Sequence, residues 1–381
     1  MKVAIYGGSF DPVHLEHLRI VEAVKEELNV DKVVLVPTFA PPHKEKSKAD
    51  FEDRTNMLRI MFSVHDYVII DEYESEISEG YNYAYDVLKH LKECYDDIVY
   101  VIGGDSFINL ESWYEWENLL KENKLAIVKR GNLNFDYQKK IDEYRTKFHT
   151  DIIMMNYVGK NVSSTYIRIA NYLDLSIAPY TGEKIAKYIR DYKIYTMFSA
   201  IVKKVKSDID EKLYTHTVNT VLCAFQIRSD CNLKISSTRV FVACLLHDIA
   251  KERTDLKYGV PLNTVNTSIF HQFYGERVAY YEYNVKDEEV LDAIRFHTTA
   301  KPEMTELGML VYLADKICKG RDYDGVQEIR DTAKVDFYKA FRMCLKYSYE
   351  YVMTKTNAVY PLTKEAVKYY LNKENLWTQR K

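Results

Sequence analysis

The sequence predicts two domains of different class: a doubly wound α/β domain with a parallel sheet over residues 1–196, and an all-α domain over residues 197–381. Three observations predict it. At 381 residues the chain is longer than one hydrophobic core usually serves, at about 100 to 200 residues per domain. Short β-branched runs alternate with helix-length amphipathic stretches through residue 155 and then stop. Beyond residue 197 apolar residues recur at helical spacing, as in TRVFVACLLHDIAKE and DEEVLDAIRFHT.

Taken in order, the strand runs are KVAIY (2–6), KVVLV (32–36), YVIID (67–71), IVYVI (98–102), LAIV (125–128) and DIIMM (151–155). Continuous apolar runs read as strands buried on both faces, with the helices between them as crossovers. The pattern changes near Tyr195–Ser207, between a helix in GEKIAKYIRDY and a second that begins FSAIVKKVKSDI. Neither a Gly/Ser linker nor a low-complexity tract marks the border, which predicts closely coupled domains or a helical join. No internal repeat is present.

Composition narrows the function classes. Lys plus Arg (53) against Asp plus Glu (56) leaves a net charge of −3, so no basic surplus predicts a nucleic-acid partner. With 47% hydrophobic and 29% charged residues, the chain reads as an ordinary folded protein rather than a disordered one. The N-terminus lacks a signal pattern, and no run approaches the roughly 18 apolar residues of a membrane span. Six cysteines without a C-x-x-C pair predict a reducing cytoplasm. Oligomeric state is left open, a homo-oligomer included.

Directly after the first strand comes Gly7-Gly8-Ser9-Phe10-Asp11-Pro12-Val13-His14-Leu15-Glu16-His17. Glycines let the backbone pass close to a ligand, and the following helix offers free N–H groups and a positive dipole end to phosphate. His14 and His17, three apart, share the first turn and can both donate to one phosphate. The second strand runs into Pro37-Thr38-Phe39-Ala40-Pro41-Pro42-His43-Lys44, and the fourth into Gly103-Gly104-Asp105-Ser106, with Trp113 and Trp116 beyond. The last is followed by Val162-Ser163-Ser164-Thr165-Tyr166-Ile167-Arg168, where hydroxyl residues cap a helix and Arg168 lies in its first turn. Any one of these is most often just a turn or a cap. Four of them, each following a predicted strand, predict a phosphate-handling cleft at one sheet edge.

GGSFDPVHxxH, PPHK, the GGDS run before Trp113 and SSTxIR resemble nicotinate-nucleotide adenylyltransferase of bacterial NAD synthesis, within the H-x-G-H nucleotidyltransferase superfamily, over about residues 1–195. The resemblance implies direct transfer of AMP from ATP to nicotinate mononucleotide, releasing pyrophosphate, with Mg²⁺ on the ATP phosphates and no covalent enzyme intermediate. It gives His14, His17, Lys44 and Arg168 the task of neutralising moving charge. Gly7, Gly8, Ser9 and Phe10 would supply backbone contacts, Asp105 would hold a ribose or orient the cleft, and Gly103, Ser163, Ser164 and Thr165 would bind nucleotide. Trp113 would stack on the pyridine ring. Two positions depart from the family pattern. Glu16 replaces the Gly before the second histidine, and its carboxylate is awkward beside phosphate unless it points to solvent. In Asn82-Tyr83-Ala84-Tyr85-Asp86, Ala84 replaces a Thr of the substrate loop. Backbone N–H groups must then read the nicotinate carboxylate, and nicotinamide mononucleotide stays an alternative acceptor.

The second half contains four histidines, His216, His247, His271 and His297. His247-Asp248 ends the apolar run VFVACLLHD and Asp315 ends GMLVYLAD, where desolvated groups need partners or a metal. Singly, each reads as a hydrogen-bonded core histidine or a helix-end carboxylate. As a set, imidazoles plus carboxylates without thiolate suit iron, manganese or zinc. YTHT, LLHDIAKE, AIRFHTT and the Asp315 segment ending KGRDYDG resemble the HD superfamily of metal-dependent phosphohydrolases, and more closely its bacterial symmetrical diadenosine tetraphosphate hydrolases, over about residues 200–335. The resemblance implies a dinuclear metal centre, most simply iron, with manganese or another divalent metal as alternative. His216, His247, Asp248 and Asp315 would hold one metal, His271 and His297 the second, and Asp248 would share in catalysis. Lys251, Arg295, Thr298 and Arg321 would bind nucleotide phosphate, and Gln272 is expected to narrow the entrance. Two readings stay open beside diadenosine tetraphosphate: another nucleotide phosphoester or phosphoanhydride as substrate, or a nucleotide-sensing module.

Overall fold

The computed structural model describes residues 1–39, 48–76, 83–131, 135–160, 162–255, 257–260, 268–355 and 359–371. The chain divides into two compact units, Met1–Met197 and Phe198–Lys381.

The first unit is built on six parallel strands: β1 (Lys2–Gly8), β2 (Lys32–Pro37), β3 (Val68–Ile70), β4 (Asp97–Gly103), β5 (Lys124–Arg130) and β6 (Ile152–Gly159), in the spatial order β3-β2-β1-β4-β5-β6. The six apolar runs account for all of them. The central residues of β1, β2 and β4 are buried on both faces, which is why their sequences lack the polar alternation of a half-exposed strand. Edge position explains how β3 and β6 depart from their apolar runs. β3 keeps only three partly exposed residues. β6 runs on past the apolar stretch to Gly159, with a register shift opposite Ile127 and Lys129. The helices of this unit are α1 (Leu15–Glu27), α2 (Phe51–Met61), α3 (Tyr73–Glu76), α4 (Ala84–Cys94), α5 (Gly104–Ile108), α6 (Trp116–Glu122), α7 (Tyr137–Phe148), α8 (Ser164–Tyr172), α9 (Ala178–Thr181) and α10 (Glu183–Asp191). After β1 the chain winds outward through β2 to β3, and it then returns to β4 on the other side of β1. The carboxyl ends of β1 and β4 therefore flank the point where the winding reverses, where such sheets bind ligands.

The second unit has no strand among the described residues. Its helices are α11 (Ser199–Asp208), α12 (Glu211–Asp230), α13 (Ser237–Leu246), α14 (Phe270–Glu282), α15 (Glu288–Phe296), α16 (Glu306–Ile317), α17 (Val326–Ala333), α18 (Phe337–Lys355) and α19 (Pro361–Leu371). In α16 (ELGMLVYLADKI) ten consecutive-to-near positions from Leu307 to Ile317 are buried. Such an all-round apolar helix must sit inside, and α12, α13, α15 and α18 pack against it. Asp315 is thereby carried into the interior on the most buried helix of the unit.

Candidate functional site

The first cluster grows from the end of β1. A Cβ on Gly8 would lie 3.2 Å from the Phe10 ring. Phe10 is buried and adopts φ 46°, so the chain turns tightly over its own aromatic ring. Asp11 is buried beneath the turn. Its carboxylate accepts the main-chain N–H groups of Lys48 and Ala49 at 2.9 and 3.0 Å and the Tyr195 hydroxyl at 2.8 Å. Arg54, fully buried, donates to the Ser9 carbonyl at 2.7 Å. Burial draws its guanidinium below the ordinary value, against the pull of Asp11.

His14 is the N-cap of α1. Its N–H donates to His17 Nδ1 at 3.1 Å, and the two rings stack with centroids 3.7 Å apart. Nδ1 as acceptor leaves Nε2 as the hydrogen-bearing nitrogen of a neutral His17. Ser163 caps α8 by accepting the Tyr166 N–H at 3.1 Å. Ser164 donates to the Pro12 carbonyl at 2.9 Å. Arg168 donates to the Asp11 carbonyl, lies 3.4 Å from its carboxylate and reaches Thr165 Oγ1 at 3.1 Å. The β1 loop, both histidines and the start of α8 are thus one assembly. Gly103 closes β4, the strand next to β1, and Asp105 lies exposed in the first turn of α5. Trp113 is partly buried against the core of the unit. The rings of Tyr83, the N-cap of α4 just ahead of Ala84, and of Tyr114 lie 4.4 Å apart. Lys44 lies outside the described residues, as do Pro41, Pro42, His43 and Asn82.

Glu16 does not point to solvent: it is buried, and its carboxylate accepts the Tyr157 hydroxyl at 2.7 Å and the Lys160 N–H at 2.8 Å, with Arg19 at 3.2 Å. The end of an edge strand needs an acceptor, and Glu16 supplies it from α1.

In the second unit five helices converge on one carboxylate. His216 comes from α12, His247 and Asp248 from the turn ending α13, His271 from α14, His297 from the end of α15 and Asp315 from α16. Ligand atoms of His216, His247, Asp248 and Asp315 lie within 4.8 Å of one another, as do those of Asp248, His271 and His297. Asp248 belongs to both sets. Its Oδ2 faces His247 at 3.4 Å and His216 at 3.6 Å, and its Oδ1 faces His297 at 3.3 Å and His271 at 3.4 Å.

The donor chemistry fits metal ions. Asp248 Oδ1 is buried and accepts no hydrogen bond, which in a protein interior calls for an explanation such as an ion. His247 Nδ1 meets the Cys244 carbonyl at 2.7 Å and His297 Nδ1 the Ile294 carbonyl at 2.8 Å. Each Nδ1 therefore carries a hydrogen, and each Nε2 is the ring nitrogen turned toward the other ligands. Nε2 atoms of His216 and His247 stand 3.3 Å apart, and those of His271 and His297 3.2 Å. Burial would raise Asp248, yet His247 and His297 hold it well below the usual carboxylate range. Asp315 is likewise low despite burial, through Lys316 and His216. Burial and the neighbouring His297 bring His271 down to about 3, so it is neutral and free to ligate.

Residues 5–170 match the cytidylyltransferase-like family and residues 213–320 the HD domain. A protein of Caldicellulosiruptor bescii named "Probable nicotinate-nucleotide adenylyltransferase" is 31% identical over 190 residues, covering 50% of this chain and 96% of its own length. The chain belongs to the nicotinate-nucleotide adenylyltransferase family and carries an HD domain. A Mycoplasma genitalium protein named "Probable nicotinate-nucleotide adenylyltransferase/Ap4A hydrolase" is similar across both halves, 24% identical over 365 residues, 91% of this chain and 97% of its own. A crystal structure of an HD superfamily hydrolase, predicted and involved in NAD metabolism, from Clostridium acetobutylicum is 28% identical. It covers 46% of this chain and 98% of that one at a TM-score of 0.43. This member of the family is an enzyme with an adenylyltransferase domain and a divalent-metal hydrolase domain. No helix among its described residues is long and apolar enough to cross a membrane.

Around the HD centre, Lys251 Nζ lies 2.7 Å from Asp248 Oδ2. Arg321 donates to Asp315 through both its carboxylate and, at 2.8 Å, its carbonyl, and comes within 3.3 Å of His216 Nε2. Thr298 Oγ1 is 3.1 Å from His271 Nε2. Arg295 instead pairs with buried Glu276 at 2.8 Å, tying α15 to α14. Gln272 departs from expectation. It is fully buried, far from narrowing an entrance, and its amide accepts the N–H groups of Thr298 and Thr299 at 3.0 and 3.2 Å and donates to Thr299 Oγ1 at 2.9 Å. It fixes the turn that follows His297. Arg54 and Cys318 escape motif reading, and the roles of Asp11 and Glu16 stay hidden in it, because Ser9, His216, Tyr195 and Tyr157, which reveal them, lie far off in sequence.

Proposed function

We propose that the first unit transfers the adenylyl group of ATP to the phosphate of nicotinate mononucleotide, and that the second hydrolyses diadenosine tetraphosphate to two ADP. The observation that carries the first reading is the assembly of the Gly7–Phe10 turn, His14, His17 and Arg168 beside the β1–β4 switch point. A mononucleotide phosphate oxygen attacks the α-phosphorus of ATP. A new P–O–P bond forms as the bond to the β-phosphate oxygen breaks, and charge moves onto the leaving pyrophosphate. Main-chain amides of the turn hold phosphate, His17 Nε2–H and His14 donate to it, and Arg168 neutralises growing charge from a position set by Asp11. Mg²⁺ accompanies ATP. Tyr83, Trp113 and Asp105 would receive the acceptor's base and ribose.

In the second unit Asp248 would serve two metal ions at once, completed by His216, His247 and Asp315 on one side and by His271 and His297 on the other. Bound divalent metals, iron or manganese, supply Lewis acidity and activation of water. Water adds to one inner phosphorus, the central P–O–P bond breaks, and each half leaves as ADP. Lys251, Arg321 and Thr298 would hold the remaining phosphate oxygens. The six cysteines are unpaired, in keeping with a cytoplasmic enzyme.

Offering the purified protein ATP with each pyridine mononucleotide, and diadenosine tetraphosphate with iron or manganese, tests both readings through product analysis. His17→Ala should lower transfer by about 10² to 10³-fold and spare hydrolysis. Asp248→Ala should abolish metal binding and hydrolysis and spare transfer. Equal loss of both activities in either variant contradicts the assignment.

A further inference from the structure

Each inward-facing imidazole of the HD centre needs an outer partner to fix its tautomer. His247 and His297 use main-chain carbonyls at 2.7 and 2.8 Å. His216 differs. Its Nδ1 faces Cys318 Sγ at 3.6 Å, a normal reach for a sulfur acceptor. Cys318 follows α16 directly and is buried. Its Sγ also lies 3.5 Å from the Asp315 carbonyl and 3.7 Å from Thr220 Oγ1. Thr220 sits one turn beyond His216 on α12 and donates to the His216 carbonyl at 3.0 Å.

We propose that Cys318 is the positioning residue for His216: its sulfur accepts the Nδ1–H, its S–H donates to the Asp315 carbonyl, and the imidazole is thereby held with Nε2 toward the metal. One thiol then spans two ligands of the same set, the His216 ring on α12 and the Asp315 main chain on α16. A backbone carbonyl cannot do both, because it cannot donate. The inference rests on the metal reading of this centre and deepens it. Cys318 is buried and acts through the His216 ring and the Asp315 main chain.

Two variants separate hydrogen bonding from packing. Valine fills a similar volume without an acceptor, whereas serine keeps a group that both donates and accepts. Full-length wild type, Cys318→Val and Cys318→Ser are titrated with Mn²⁺. Bound metal is counted by elemental analysis, the bound ion's electron paramagnetic resonance spectrum is recorded, and the thermal midpoint of each metal-free protein is the control for folding. Cys318→Val should weaken one of the two ions by about 10- to 100-fold, leave the metal-free midpoint close to wild type and alter the spectrum. Cys318→Ser should stay close to wild type in all three. Equal affinity of Cys318→Val and wild type overturns the proposal, as does equal weakening of both variants with a matching fall in the metal-free midpoint. Wild type that binds no Mn²⁺, with the fold intact, removes the metal reading itself.

Discussion

Asp11 gathers more of the first site than any other single side chain. Through its carboxylate it joins the β1 loop to residues 48–49, to Tyr195 and to Arg168. Asp11→Asn keeps the shape but loses the charge facing Arg168, and one amide face must then oppose an N–H donor. Adenylyl transfer should fall through a raised KM for ATP, and stability should drop by about 1 to 3 kcal/mol. Steady-state kinetics with Arg168→Ala alongside, and urea unfolding, check this; unchanged KM with only a stability loss would make Asp11 purely structural. The sequence displays Asp11 inside GGSFDP, yet nothing local tells a turn-forming Asp from a buried hub, since its partners lie 37 to 184 residues away. Glu16 and Gln272 are legible as departures while their roles stay hidden: a departure from a pattern is visible in one dimension, but its new partner is not. The histidine and aspartate cluster of the second unit is different. A buried His-Asp pair with no apolar use for it declares itself in the sequence.

Helix termini show what elements contribute. Asp287 caps α15, accepting the N–H groups of Glu289 and Val290 at 3.0 and 3.2 Å, with Arg239 at 2.7 Å. Burial would raise its carboxyl, but Arg239 and the two main-chain donors hold it below the usual value. A depressed folded value makes the contribution complete above the unfolded value of about 3.9 and lost as pH falls through the folded one. Asp287→Ala should cost about 1 kcal/mol near neutrality, and its thermal midpoint should converge on that of wild type as the pH drops below about 4. At the start of α5, a Cβ on Gly104 would fall 2.4 Å from the Tyr137 hydroxyl and 3.1 Å from its ring. Gly104→Ala should therefore overpack the core by about 1 to 3 kcal/mol, read as an earlier urea midpoint; an unchanged midpoint would mean that Tyr137 yields freely. The central strands were plain in their apolar runs, whereas β3 and β6 blurred, because an edge strand is half exposed and its limits are set by a single neighbour.

At the scale of the molecule, two centres with unlike chemistry share one chain. Chelation should abolish hydrolysis and lower the melting transition of the second unit, because ions bound only by the folded state stabilise it. Transfer should return once Mg²⁺ is restored, and failure of hydrolysis to return with added iron or manganese would argue against a reversible metal site. Whole-chain legibility rested on the change of period near residue 197, which survives without any linker because a parallel sheet and a helical bundle demand incompatible apolar spacing.

The double duty of Asp248 constrains how the second centre can change. Because each of its oxygens looks toward a different pair of histidines, substituting it should dismantle both halves together and leave no working remnant. Under the proposed two-ion reading, a descendant running on a single ion would instead be reached by erosion at His271 or His297, keeping the four-residue set of His216, His247, Asp248 and Asp315.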